Sequence, residues 1–290
     1  MILRLLTQAD LPDALRLSST AGWNQQLEDW RMLLSLAPTG CFAALDADTI
    51  VGTSMGIPYG EFSWIAMMLV DPAYRGQGLG RRLLGAAMAA VPDDRPVRLD
   101  ATPLGRPLYE SFGFVEETRL TRFTATAAAR RALTFDTPKA TRPLGVSALE
   151  RVAALDRRLF GADRSALLRW ALNRSPQYAR LTPAPADGGY CFGRQGRLFD
   201  QIGPIVAQSD HEAELLVISA LAAAGERDVA IDAFDDGVAF TAWLRGCGFV
   251  GQRPLFRMRR PSGGAGQAMA ARNLADNVAR EYAIFGPEFA

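Results

Sequence analysis

Apolar residues change spacing along the chain in a regular order, and that order predicts the elements. Residues 1–7 read as a strand. Residues 9–21 place Leu11, Leu15 and Leu17 on an amphipathic helix, and a second helix is expected over 27–36. Residues 41–45 and 50–57 read as a hairpin around Asp46-Ala47-Asp48. The apolar run 64–70 is a strand that stops at Asp71-Pro72, and a helical pattern begins at Leu79. A short strand over 97–100 follows, then a helix carrying Tyr109, then Gly113-Phe114 and a further strand.

The pattern then starts again. Helices are expected over 146–160 and 164–173, strands over 190–193 and 198–206, and a helix over 211–224. A strand over 229–233, a helix over 238–245 and a strand over 249–259 complete the second run. Sequence echoes accompany the repeated order. Gly113-Phe114-Val115 leads to Leu120, Arg122 and Phe123, and Gly248-Phe249-Val250 leads to Leu255, Arg257 and Met258 at the same offsets. Upstream, Leu99-Asp100-Ala101 is echoed by Ile231-Asp232-Ala233. At 290 residues the chain has room for two such units. We expect domains at 1–125 and 146–261, a linker at 126–145 with a part that reads as strand, and a tail at 262–290. In the tail, Ser262-Gly263-Gly264 opens a flexible stretch and 267–283 reads as a helix. The apolar ending Ile284-Phe285-Gly286-Pro287-Glu288-Phe289 is expected to dock on the chain or on a partner subunit, which leaves a homodimer open.

The strand-to-helix turn after Val70 carries the most chemistry. Gly76, Gly78 and Gly80 let the backbone turn tightly, and the helix behind them contributes unpaired N–H groups and a partial positive charge. Such a turn binds phosphate or pyrophosphate. A P-loop needs Gly-Lys-Ser/Thr, but Arg81 and Arg82 follow Gly80. A dinucleotide fingerprint needs its third glycine one residue later. Arg75-Gly76-Gln77-Gly78-Leu79-Gly80 fits a third pattern, Arg/Gln-x-x-Gly-x-Gly/Ala. With Asp71-Pro72, Tyr74 and the helix that follows, this segment resembles the acyl-CoA loop of the GNAT family, the Gcn5-related N-acetyltransferases. The run Pro107-Leu108-Tyr109 through Gly113-Phe114 resembles the family's second signature.

The resemblance implies an α/β chain of the α+β type. Two tandem GNAT folds are expected, each with a mixed, mostly antiparallel central sheet flanked by helices. It implies acetyl-CoA as cosubstrate, held by Leu69, Val70, Arg75, Gly76, Gln77, Gly78, Leu79, Gly80 and Arg81, and direct transfer to a small-molecule primary amine. A backbone N–H near Leu69 or Val70 would stabilise the oxyanion. Tyr109 is the candidate general acid, since a phenol stays protonated at neutral pH; it also reads as a packed core tyrosine. For the base, Asp100 at the end of its strand and Glu61 before the strand into the loop are the candidates, and each also reads as an ordinary solvated or capping carboxylate. The second copy lacks the loop, reading Gly203-Pro204 through Ser209-Asp210, and has Leu244 where Tyr109 would stand. It is expected to complete the acceptor site or carry structure. Asp163, Arg164, Arg194 and Asp232 are the polar residues to watch there, by resemblance to tandem members with a degenerate second domain.

Composition narrows the alternatives. With 32 basic and 31 acidic side chains the net charge is +1, which gives no field for nucleic acid. No apolar run reaches the ~18–20 residues of a membrane span. Cys41, Cys191 and Cys247 have no metal-like spacing and read as packing residues, pointing to a reducing cytoplasm with no metal. The single histidine, His211, lies outside the first unit. A tandem acyltransferase of the mycothiol-synthase type, a non-catalytic acyl-CoA sensor and a purely structural module are the competing readings.

Overall fold

In a computed structural model describing residues 1–131, 141–183, 188–262 and 280–289, the two runs settle into parallel orders of elements. The first is β1 (Ile2–Leu5), α1 (Leu11–Thr20), α2 (Leu27–Leu36), β2 (Cys41–Asp46), β3 (Thr49–Pro58) and β4 (Ser63–Val70), then α3 (Leu79–Ala89), β5 (Val97–Ala101), α4 (Arg106–Glu110) and β6 (Val115–Ala125). Between the runs lie α5 (Ala127–Arg131) and β7 (Arg142–Pro143). The second is α6 (Val146–Phe160), α7 (Ser165–Arg174), β8 (Arg180–Leu181), β9 (Tyr190–Arg194) and β10 (Asp200–Ala207), then α8 (Asp210–Ala223), β11 (Val229–Phe234), α9 (Val238–Gly246) and β12 (Val250–Arg260). A last strand, β13 (Arg280–Ala283), follows.

Two expectations change here. The segment 126–145 is partly built into the fold: the buried Arg130 guanidinium donates to the carbonyls of Leu221 (3.1 Å) and Gly225 (3.0 Å), at the C-terminal end of α8. A cation there meets the helix's unpaired carbonyls. Of the helix expected over 267–283, residues 267–279 lie outside the described residues, and Arg280–Ala283 is strand rather than helix.

Among the described residues the strands form one sheet in the order β1-β2-β3-β4-β5-β12-β6-β11-β13-β10-β9-β8-β7. Its pairings are antiparallel except β4–β5 and β10–β11, which are parallel and short. The middle of the order shows an exchange. β12, from the second half, lies between β5 and β6 of the first, and β6 lies beside β11 of the second. Each half thus takes its neighbour strand from the other.

The echoed residues are the cross-links of that exchange. Arg257 Nε and Nη2 donate to Asp100 Oδ1 and Oδ2, both at 2.9 Å. Arg122 makes the reciprocal fork onto Asp232, at 2.7 and 2.6 Å. The aspartate of each copy is held by the arginine of the other, and both carboxylates are fully buried. A bidentate guanidinium is the geometry that offsets burying such a charge.

The helices cover the faces. α1, α2, α6 and α7 share a core that also takes in Phe285 and Phe289 of the tail, both with no exposed surface. The ending therefore docks on its own chain. Tyr59 donates to the carbonyl of Phe289 (3.0 Å) and Trp64 Nε1 to that of Pro287 (3.0 Å).

Candidate active site

β4 and β5 pair only at Ser63–Val97 and Trp64–Arg98, then separate. A cavity of about 700 Å³ opens where they part. Its walls are residues 65–70 of β4, the glycine turn, residues 102–105 and Tyr109, with Arg122, Arg253, Leu255 and the tail at the far end. In β4 the pairing with β3 slips between Ala66 and Leu69, and Met67 has φ of +50°. A bulge of this kind turns backbone groups out of the ladder, and strain in a β-branch-free residue beside a cavity marks a site rather than a defect. Thr53 Oγ1 holds the Met67 carbonyl at 2.8 Å, which fixes the bulge from behind.

At the near end, Gly76 and Gly78 have φ of +74° and +77°, and Gly78 is the N-cap of α3 with no side chain to fill the cap. The first backbone bond back from the helix runs from Arg82 N–H to Gly78 O. Among the described residues, no acceptor takes the N–H groups of residues 76–81. These amides converge on one turn with the positive end of the helix dipole behind them. Leu69, Val70, Arg75, Gly76, Gly78, Leu79 and Gly80 all line the cavity. Arg75 Nε donates to the Val70 carbonyl (3.2 Å). The side chains of Gln77 and Arg81 point elsewhere: Gln77 Nε2 donates to the Ala73 carbonyl (3.3 Å), and Arg81 bonds Ser111 Oγ (3.1 Å) and lies 5.2 Å from the Phe112 ring.

Tyr109 lines the cavity from α4. Its ring meets Phe114 edge-on at 6.0 Å, and Gly105 passes so close that a Cβ there would stand 3.0 Å from the ring. Burial pushes its phenol well above the usual value, so it is protonated across the physiological range.

The two candidate bases part company. Glu61 sits on the exposed loop before β4, at the opposite end of that strand from the turn, and does not line the cavity. Asp100 does line it, but both its oxygens are taken by Arg257. Burial pushes its carboxyl up, and the Arg257 guanidinium offsets only part of that. Its counterpart Asp232 makes the same fork in the half without the loop, so the arrangement belongs to the strand exchange. A carboxylate absent from sequence reasoning lines the cavity instead: Glu288, brought in by the tail. It pairs with Arg194, which also bonds Asp29 Oδ2 at 2.8 Å.

The rest of the cavity wall is a joint product of both halves. Trp23, Asn24 and Gln25 of the α1–α2 loop line it. Asn24 clamps that loop to the second half, accepting from the amides of Leu198 (2.8 Å) and Phe199 (3.1 Å) and donating to the Phe199 carbonyl (3.0 Å). Tyr59 and Trp64, which hold the tail, do not line the cavity. Of the polar residues singled out in the second half, Arg194 reaches the cavity. Arg164 forks onto Asp156 at 2.9 Å in the core, and Asp163 accepts from Ser165 N–H at the start of α7.

The equivalent places in the second half are filled. β10 and β11 also part after a two-residue pairing, and β13 inserts between them, bonded to both. Gly203 is where the tail comes closest: a Cβ there would lie 2.0 Å from the Ile284 carbonyl oxygen. The N-terminus of α8 is capped by Ser209, whose hydroxyl accepts from Glu212 N–H (3.2 Å). Among the described residues, β13 thus occupies the parted strands and Ser209 the helix start on that side.

The cysteines are packing residues. All three are buried and free, and burial pushes Cys41 up to about 12 and the other two upward as well. Among the described residues no cluster of His, Cys, Asp and Glu is arranged to hold a metal, and no helix is long and apolar enough to cross a membrane.

Comparison with known proteins agrees with this geometry. Two family models, each described as an acetyltransferase (GNAT) domain, match residues 37–116 and 152–270, together more than half of the chain. An uncharacterized N-acetyltransferase of Bacillus subtilis is 27% identical over 222 residues, covering 75% of this chain and 77% of that one. A crystal structure from Pyrococcus horikoshii, assigned as an acetyltransferase, superposes with a TM-score of 0.76 at 25% identity, over 99% of this chain and 95% of that one. A tandem GNAT protein from the clavulanic acid biosynthesis pathway shares the fold, with a TM-score of 0.65 at 15% identity over 91% of this chain and 99% of that one. The chain belongs to the GNAT family of acetyltransferases, as a tandem of two GNAT domains, and is an acyltransferase.

Proposed function

We propose that the first half transfers an acetyl group from acetyl-CoA directly to the primary amine of a small molecule. The observation that carries this reading is the turn of unpartnered amides at 76–81, opening on a cavity that runs past Tyr109. Pyrophosphate suits the turn, and the parted edge of β4 suits a pantetheine arm lying as an extra strand. The far end is walled by Trp23, Asn24, Gln25 and the tail, which favours a small acceptor over a protein chain. The second half supports the site and takes no acetyl-CoA of its own.

In this reading Glu288 attracts the ammonium and its carboxylate or a water takes one proton, leaving the amine lone pair free. The nitrogen then bonds the thioester carbonyl carbon, and backbone N–H groups near the β4 bulge stabilise the oxyanion. The C–S bond breaks with its electron pair on sulfur, which takes the Tyr109 proton. The second amine proton restores the phenol. A raised phenol makes this hand-over depend on that return, which ties the two proton transfers together.

The test is thiol release from acetyl-CoA across amino acids, polyamines, amino sugars and peptide amines, with acetyl-CoA binding measured on the protein and on Gly78→Glu. A side chain at φ +77° costs about 1–2 kcal/mol, yet a Cβ there meets nothing within 4 Å, so the fold survives. Its carboxylate opposes the pyrophosphate, and the acetyl-CoA Kd is expected to rise at least ~100-fold by calorimetry, about 2.7 kcal/mol. An unchanged Kd would sink the loop assignment.

A pH profile gives a second check. Because burial raises the Tyr109 phenol above its ordinary value of about 10, its proton is not lost at alkaline pH. kcat/KM is expected to climb as the amine deprotonates and to show no fall up to about pH 10. A descending limb near pH 8–9 that disappears in Tyr109→Phe would show a phenol that is not raised, and would overturn the burial argument while keeping Tyr109 as the acid.

A further inference from the structure

Charges at the far end of the cavity are mispaired in a specific way. Arg122 is satisfied by the fork onto Asp232, and Arg257 by that onto Asp100. Arg194 is shared by two carboxylates, Asp29 and Glu288, and Asp29 Oδ1 is buried without a partner. Two carboxylates therefore share one guanidinium, and Glu288 has no second cation bonded to it among the described residues. Arg253 is the converse. It stands on β12 opposite Arg122 and lines the cavity, and its side chain has no hydrogen bond or ion pair among the described residues. Its Nε is shut off from solvent with no acceptor. Burial and the neighbouring Arg122 work against its charge, while Asp232 and Glu288 lie within electrostatic reach and favour it.

An arginine keeps its charge in a protein and carries five donors. Leaving one half-buried beside another guanidinium is costly unless an anion arrives. A plain amine would add positive charge next to Arg253 and leave the guanidinium unmet. A molecule bearing both an ammonium and a carboxylate answers the surplus at Glu288 and the deficit at Arg253 together. We infer that the acceptor is an amino acid or a similar amino carboxylate, its carboxylate bound by Arg253 and its ammonium directed to Glu288. This rests on the acetyl-transfer reading and specifies its substrate class.

The experiment compares amino acids with their amides and with the corresponding decarboxylated amines. In wild type, kcat/KM is expected to favour the carboxylate-bearing acceptor by roughly 10–100-fold, the range for a hydrogen bond to a charged group. Arg253→Gln should remove that preference through KM, with kcat changed little, and Arg253→Lys should restore part of it. Equal loss on acid and amide, or wild-type preference for the amide or decarboxylated amine, would overturn the inference. Binding of the amino acid in the presence of CoA, followed by calorimetry, gives a readout independent of turnover. Weaker binding in Arg253→Gln upholds the substrate class even where no acetyl transfer is seen, and equal binding overturns it. Absence of transfer to every amine, with that binding intact, would fall on the acetyl-transfer reading alone.

Discussion

Tyr109→Phe is expected to lower kcat by roughly 10²–10³-fold, the usual contribution of a positioned general acid, with acetyl-CoA affinity changed by no more than a few-fold. The substitution is clean because packing, not hydrogen bonding, sets the ring. Phe114 meets it edge-on and Gly105 lies against its rim, and both contacts are made by carbon atoms that phenylalanine keeps. Only the hydroxyl is lost. Stopped-flow or steady-state thiol release, read beside a binding isotherm, separates the two effects. Full activity in the variant would mean that the thiolate leaves without this proton and that the ring is a packing residue.

Ending the chain before Arg280 is expected to abolish the folded state. β13 stands inside the sheet between β11 and β10, so its removal bares two strand edges at once. Phe285 and Phe289 leave the main core with it, and deleting one buried phenylalanine typically costs about 3–5 kcal/mol. Two such losses approach the whole of a usual domain's stability, ~5–15 kcal/mol. Arg194 would also lose Glu288, and Tyr59 and Trp64 their acceptors. The truncated chain should be insoluble or show no cooperative thermal transition. A cooperative melt within a few degrees of the full chain would refute this account of the tail.

Local features were legible in the sequence, and distant pairings were not. The helix and strand spans, the glycine turn and Tyr109 follow from spacing that acts within ten or twenty residues. Asp100 reads as a candidate base or an ordinary carboxylate because its position at a strand end is local, whereas its partner Arg257 lies 157 residues on. Glu288 and Asn24 were missed for the same reason, since each acts across the two halves. β13 read as helix because four strand residues carry little period of their own, and the edges they fill belong to strands far upstream. One signal was available. Asp100 and Asp232 each recur one strand ahead of an arginine, Arg122 and Arg257, and oppositely charged residues repeated together inside apolar strands ask for each other.

The exchange of β6 and β12 also governs the order in which the molecule can assemble. As the chain leaves the ribosome, the first half lacks the strand that belongs beside β5 until residue 260 has been made, so folding domain by domain is closed to it. Its contact order is raised accordingly, with a hydrogen bond spanning 230 residues between Tyr59 and Phe289. Such a topology is expected to fold slowly for its size, and the two halves, once joined this way, have lost the independence that two copies of a domain ordinarily keep.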